Sequence, residues 1–188
     1  MPRIPTVPDR DAGVLGRLAY RYARRRFGEV PEPFAVLRQH SGLFWSNAIS
    51  ESLVEKAATR LPARLRDLAV YRVATRVGCS WCVDFGTMLW VRQGLDADAL
   101  RWAAADEAPD DARFDETERR VLAYADAMTA QPTTVDDAMV TDLDDRLGHA
   151  GLVELTHLIA LENMRSRTYS ALGIHEQGFA AECAVPPR

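Results

Sequence analysis

No segment of this chain alternates apolar and polar residues with a period of two, so a half-buried strand has nothing to form from. Apolar residues recur instead at helical spacing, in segments separated by glycine, proline and acidic breaks. Residues 11 to 27 place Val14, Leu15, Leu18, Tyr22 and Ala23 on one side of a helix. "FGEVPEPF" breaks the pattern, and short helices are expected from Pro33 to His40 and from about 42 to 60. The next helix opens at Pro62, a residue suited to a first helical turn, and closes at Gly78. Another starts at Cys79 to Trp81 and runs to Gln93, with Gly94 after it; Asp96 then caps a short helix ending near Ala105. "DEAPDDARFDETE" reads as an acidic loop. Helices follow over 115 to 130, 134 to 148 and 151 to 172. The expected fold is all-α, one domain over residues 1–188, with an extended proline-rich arm at 1–10 and a C-terminal tail at 174–188.

The net charge of −4 gives no global attraction to nucleic acid or to anionic lipid. "MPRIPTVPDRD" lacks the apolar core of a signal peptide, and no run of about 18 apolar residues exists to span a membrane. Three cysteines without an export signal argue against a disulfide scaffold and for a reducing, cytoplasmic setting.

Two of those cysteines stand out in "RVGCSWCVDFG". Cys79 and Cys82 are three apart on a turn entering a helix, close enough to bond to one another. Helix-start N–H groups favour negative charge, and a thiol there can become the reactive thiolate. Three readings fit the spacing: a working redox pair, half of a metal site, or two buried inert thiols. A structural zinc site wants four ligands, and the remaining candidates are Cys183 and the scattered His40, His149, His157 and His175. No metal or cofactor is expected. Buried cysteines that merely fill space are common.

"RDLAVYRVATRVGCSWCVDFGTMLWVRQGL" resembles the core helix pair of the carboxymuconolactone decarboxylase/AhpD-like (alkylhydroperoxidase D) superfamily. "LVELTHLIALENMRSRTYSALGI" is similar to the closing helix of its redox branch, and the resemblance covers about residues 30 to 183. That branch carries Glu, eleven residues, then Cys-x-x-Cys-x-x-x-His. Cys79 and Cys82 match the pair, and Asp67 occupies the Glu position. Gly86 stands where the family has its histidine. The resemblance implies Cys82 as attacking thiol and Cys79 as resolving thiol. The Glu and His would form a proton relay, here reduced to Asp67, one methylene shorter. It further implies a homo-oligomer, a trimer or hexamer, acting on a small-molecule substrate (peroxide or a disulfide) and restored by an external dithiol.

His157 is the candidate substitute base. It shares a helix face with Glu154, Leu161 and Arg165; packing or a subunit contact is the competing role. Asp84 should point away from the thiols, toward solvent or an interface. Glu162 and Arg167 are expected to form an internal ion pair. Arg24, Arg25 and Arg26 read as a solvated face, and Trp81 and Trp90 as packing residues. The function expected is a thiol-dependent oxidoreductase with peroxidase-like antioxidant chemistry. The alternatives are a carboxymuconolactone decarboxylase-like enzyme, or a non-catalytic oligomeric or ligand-binding protein that has lost the relay.

Overall fold

The computed structural model describes residues 2–96, 99–100, 103–104 and 114–181. Among them the chain is helical, with no strand. The helices are α1 (Gly13–Phe27), α2 (Glu32–Leu37), α3 (Ser41–Ala57), α4 (Ala63–Val77), α5 (Ser80–Arg92), α6 (Glu116–Thr129) and α7 (Asp137–Leu172). The expected short helix from Asp96, much of the acidic loop, and Cys183 lie largely or wholly outside the described residues.

Local chemistry sets the boundaries. α4 follows Pro62 and ends at Gly78, whose φ of 76° is left-handed. α6 opens on a capping box in which the Asp115 side chain accepts from the Glu118 N–H and Glu118 reaches back to the Asp115 N–H. α7 is interrupted at Gly148, which has φ 69° and ψ 163°. The two helices expected on either side of this break are therefore both present, joined across it.

α4 is the central helix and packs against α5, α6 and α7. Leu65, Ala69 and Val73 of α4 meet Val121 and Ala125 of α6 and Leu155 and Ile159 of α7 in one apolar cluster. Arg72 is wholly buried on the same helix. It is tied to Asp126 of α6 by two bonds of 2.6 and 2.7 Å and donates to the Ala103 carbonyl. A second cluster joins α2, α4 and α5 to the end of α7 and the segment beyond it; Cys79 and Cys82 lie inside it.

Of the α1 residues expected on one side, Val14, Leu15, Leu18 and Tyr22 are exposed, whereas Ala23 is buried with Gly16 and Tyr20. Periodicity locates a stripe but not what it faces. The segment after α7 does not trail away, because Ile174 and Phe179 are buried against α5 and α7. The N-terminal arm is fixed as well: the Arg3 N–H donates to the Leu172 carbonyl and its guanidinium to the carbonyls of Ser170 and Ala171.

Candidate functional site at the paired cysteines

Cys79 is the N-cap of α5, where Ser, Thr, Asp or Asn is usual. Its sulfur accepts the Cys82 N–H at 3.2 Å, supplying the capping bond that an oxygen normally makes. Gly78 turns the chain out of α4 and places Cys79 at this position. The two sulfurs are bonded to each other, with Cα atoms 5.2 Å apart. Both residues are buried; Cys82, at 8% exposed against 1% for Cys79, is the nearer to solvent.

Aromatic side chains wall the pair. Trp81 stacks on Phe85 at 4.7 Å and meets Tyr169 edge-on at 5.4 Å. Phe179 packs edge-on against both Trp81 and Phe85. The Trp81 indole N–H donates to Gln177 Oε1 at 2.7 Å, so the segment after α7 straps across the start of α5. Asp84 anchors that strap. Its carboxylate accepts the backbone N–H groups of Gln177, Gly178, Phe179 and Ala180 at 2.7 to 3.1 Å. Asp84 is thus a buried anchor, not the solvent or interface carboxylate expected from its position. Only the tertiary fold brings four free N–H groups to it.

Among the described residues, Cys82 is hydrogen-bonded to one side chain from another helix. The wholly buried Ser166 hydroxyl lies 3.4 Å from Cys82 Sγ and 2.9 Å from Glu162 Oε1. Glu162 is one turn earlier on α7 and is itself buried. Its other oxygen accepts from Arg165 Nη1 at 3.1 Å. Arg165 is shared: its Nε and Nη2 bind both carboxylate oxygens of Glu51 on α3. Burial pushes the Glu162 carboxyl above its ordinary range, against the opposing pull of Arg165 and Ser166, and the Glu51 charge adds to the rise. Burial likewise raises the Tyr169 hydroxyl.

The other sequence-derived candidates sit elsewhere. Asp67 is half-buried and accepts from Arg66 Nε at 3.0 Å and from Gln93 Nε2 at 2.8 Å; no hydrogen bond joins it to either sulfur. His157 is exposed on the outer side of α7, away from the buried pair. Glu154 on that helix caps the backbone N–H groups of Arg60 and Leu61. The expected Glu162–Arg167 pair is corrected to Glu162–Arg165, and Arg167 reaches the Thr129 carbonyl and Asn163 instead. Trp81 and Trp90 are buried packing residues. Ser166 drew no attention in the sequence, although its i, i+4 relation to Glu162 puts both on one helix face.

A helical core presenting a bonded Cys-x-x-Cys pair at the start of a helix has the equipment for a redox role. The chain belongs to the AhpD-like superfamily, to which its sequence and structural relatives point. It is 33% identical over 167 residues to the uncharacterized protein YnjA of Escherichia coli (strain K12), covering 88% of both chains. It is 32% identical over 111 residues to the alkyl hydroperoxide reductase Rv2159c of Mycobacterium tuberculosis (strain ATCC 25618 / H37Rv), a match spanning 57% of this chain and 31% of that protein. Among solved structures it is similar to the apo debrominase Bmp8, with a TM-score of 0.80, 17% identity, and coverage of 95% of this chain and 94% of the other. It is also similar to the AhpD-core, peroxidase-related protein of Ralstonia eutropha JMP134, with a TM-score of 0.78, 18% identity, and coverage of 99% and 98%. No protein-family model matches the chain. Among the described residues, no helix is long and apolar enough to cross a membrane.

Proposed function

We propose that this protein is a thiol-dependent oxidoreductase that uses Cys82 and Cys79 to reduce a peroxide. The bonded pair at the start of α5 carries the reading, because it is the oxidised end state such a cycle must reach. In the reduced protein the Cys82 thiolate attacks one peroxide oxygen. The O–O bond breaks, the leaving alkoxide or hydroxide takes up a proton, and Cys82 becomes a sulfenic acid. The Cys79 thiol then attacks that sulfur, water leaves, and the disulfide forms. An external dithiol restores both thiols by exchange through a mixed disulfide. A cytoplasmic setting, where thiol reductants are plentiful, suits this cycle. Cys82 is assigned the attack because it is the more exposed cysteine and the one with a side-chain hydrogen bond from another helix.

Residues 1–188 are proposed to act as one domain, and the working form is proposed to be a homo-oligomer. Support for the latter is the exposed apolar face of α1, with Val14, Leu15, Leu18 and Tyr22, alongside exposed Leu43, Ile49 and Leu53 on α3.

The test is peroxide turnover by the reduced protein, followed by mass spectrometry of the peptide holding both cysteines. Wild type should consume peroxide and lose two hydrogens on that peptide. Cys82→Ser should abolish turnover, while Cys79→Ser should stall as a sulfenic acid after one equivalent. Turnover undiminished in Cys82→Ser would overturn the assignment. A reduced pair that ignores peroxide but debrominates a haloaromatic would move the chain toward the activity for which Bmp8 is named.

A further inference from the structure

The relay expected from the sequence is reduced to Asp67, and no hydrogen bond joins Asp67 to either sulfur. Position 86 has no side chain, and Asp67 is held by Arg66 and Gln93. Yet a buried thiol must lose its proton to react, and a free cysteine is only a few per cent thiolate at about pH 7. The proton needs an acceptor within reach, because burial in apolar surroundings favours the neutral thiol.

We propose that Ser166 and Glu162 of α7 form the proton relay for Cys82, supplying from the closing helix the work expected of Asp67. The inference rests on the reading that Cys82 is the attacking thiol. The path is two hydrogen bonds long: 3.4 Å from Cys82 Sγ to Ser166 Oγ, and 2.9 Å from Ser166 Oγ to Glu162 Oε1. The Cys82 proton passes to Ser166 Oγ as the Ser166 proton passes to Glu162 Oε1. The outcome is a thiolate that accepts a hydrogen bond from Ser166, and a neutral Glu162. When the peroxide O–O bond breaks, the same chain runs backwards and delivers the proton toward the leaving oxygen.

Charge balance makes Glu162 the base. Among the described residues, Arg165 on its own helix is the only cation bonded to it, and that guanidinium also holds Glu51 of α3 by two bonds. One positive charge therefore serves two carboxylates, which leaves an excess negative charge beside a buried oxygen. Tyr169, one turn further along α7, adds no positive charge, and Cys82 is the group facing from α5. Moving a proton onto Glu162 relieves this excess, consistent with the upward displacement of its carboxyl by burial and by Glu51. Ser166 touches the reacting sulfur; Glu162 acts through it as a positioning residue.

The test reads the Cys82 thiol directly. In reduced protein carrying Cys79→Ala, the ultraviolet absorbance of the thiolate is followed against pH, together with the pH profile of iodoacetamide alkylation. With the relay intact the Cys82 midpoint should lie below that of a free cysteine, about 8.5. Ser166→Ala should raise it by one unit or more, because the thiolate loses its hydrogen-bond donor, whereas Glu162→Gln, neutral like the protonated carboxyl, should leave it near the wild-type value. Both variants should slow peroxide turnover at about pH 7 by tenfold or more, toward the range of about 10²–10⁴ typical of a lost general base. Ser166→Ala removes one buried oxygen, so it tests the path even if Glu162→Gln disturbs the Arg165 pair. An unchanged midpoint in folded Ser166→Ala, or undiminished peroxide turnover in folded Glu162→Gln, would overturn the relay. Failure of the peroxide reading is separable: wild type would then be inert to peroxide while the Cys82 midpoint still responded to Ser166→Ala.

Discussion

Asp84 offers the sharpest test of how the strap beyond α7 is held over the cysteine pair. Its carboxylate accepts four backbone N–H groups, three at Oδ2 and that of Ala180 at Oδ1. Asp84→Asn keeps the shape, removes the charge and replaces one acceptor by an NH₂ group. A hydrogen bond to a charged partner contributes about 1.5–3 kcal/mol and a neutral one about 0.5–1.5, so four bonds lose roughly 4 kcal/mol together. Detachment of the strap limits the cost, since Ile174 and Phe179 contribute about 1.5–3 kcal/mol each by burial. The expected result is local opening made easier by about 3–4 kcal/mol. Native-state hydrogen exchange should show this as a loss of protection of about two to three orders of magnitude at residues 177 to 180. The amides of α4, whose core contacts are untouched, should change far less. Unchanged exchange at 177 to 180 would refute the reasoning, because the four bonds would then contribute nothing to holding the strap.

Arg72→Met should lower stability by about 1.5–3 kcal/mol, because it strips charge-assisted bonds from Asp126 while Arg76 remains; this corresponds to a fall in Tm of roughly 3–12 °C for a chain of this size. Burial works to raise the Asp126 carboxyl, but its bonds to Arg72 and Arg76 outweigh this and hold it below the ordinary 3.8. A depressed folded pKa gives stability that is present above the unfolded value and lost as pH falls through the folded one. Wild type should therefore lose stability below about pH 4, and Asp126→Asn should lack that component of an acid titration followed by circular dichroism. Gly86→His should fold, since a Cβ there meets only the Tyr71 ring at 3.5 Å. It should raise peroxide turnover by less than about tenfold, because a relay is already in place; a gain of about 10² or more would mean that the wild-type protein lacks one.

The all-α architecture and nearly every described helix boundary were legible in the sequence, because they depend on local chemistry. Pro62 and Gly78 bracket α4 by what their backbones permit, Gly148 breaks α7 by its positive φ, and Asp115 starts α6 with a bond three residues away. The Cys79–Cys82 pair belongs to this group, since a bond across a single turn needs no distant element. What a helix face meets is a different matter, set by partners remote in the chain. The stripe on α1 is plain in the sequence, but its exposure depends on where α1 lies in the packing. Asp84 becomes a buried anchor only because residues 177 to 180, some ninety positions later, bring their N–H groups to it. The partner of Glu162 is Arg165 and not Arg167 because of helical phase on a face shared with Glu51, over a hundred positions earlier. Ser166 is an ordinary serine until α7 lies across α5, and its nearness to Cys82 spans 84 positions of sequence. The sequence alone determined which sulfurs can pair; the packing of α7 against α5 and its link to Glu51 of α3 decided which side chains surround Cys82, because hydrogen bonds and burial depend on distances that only the folded chain defines.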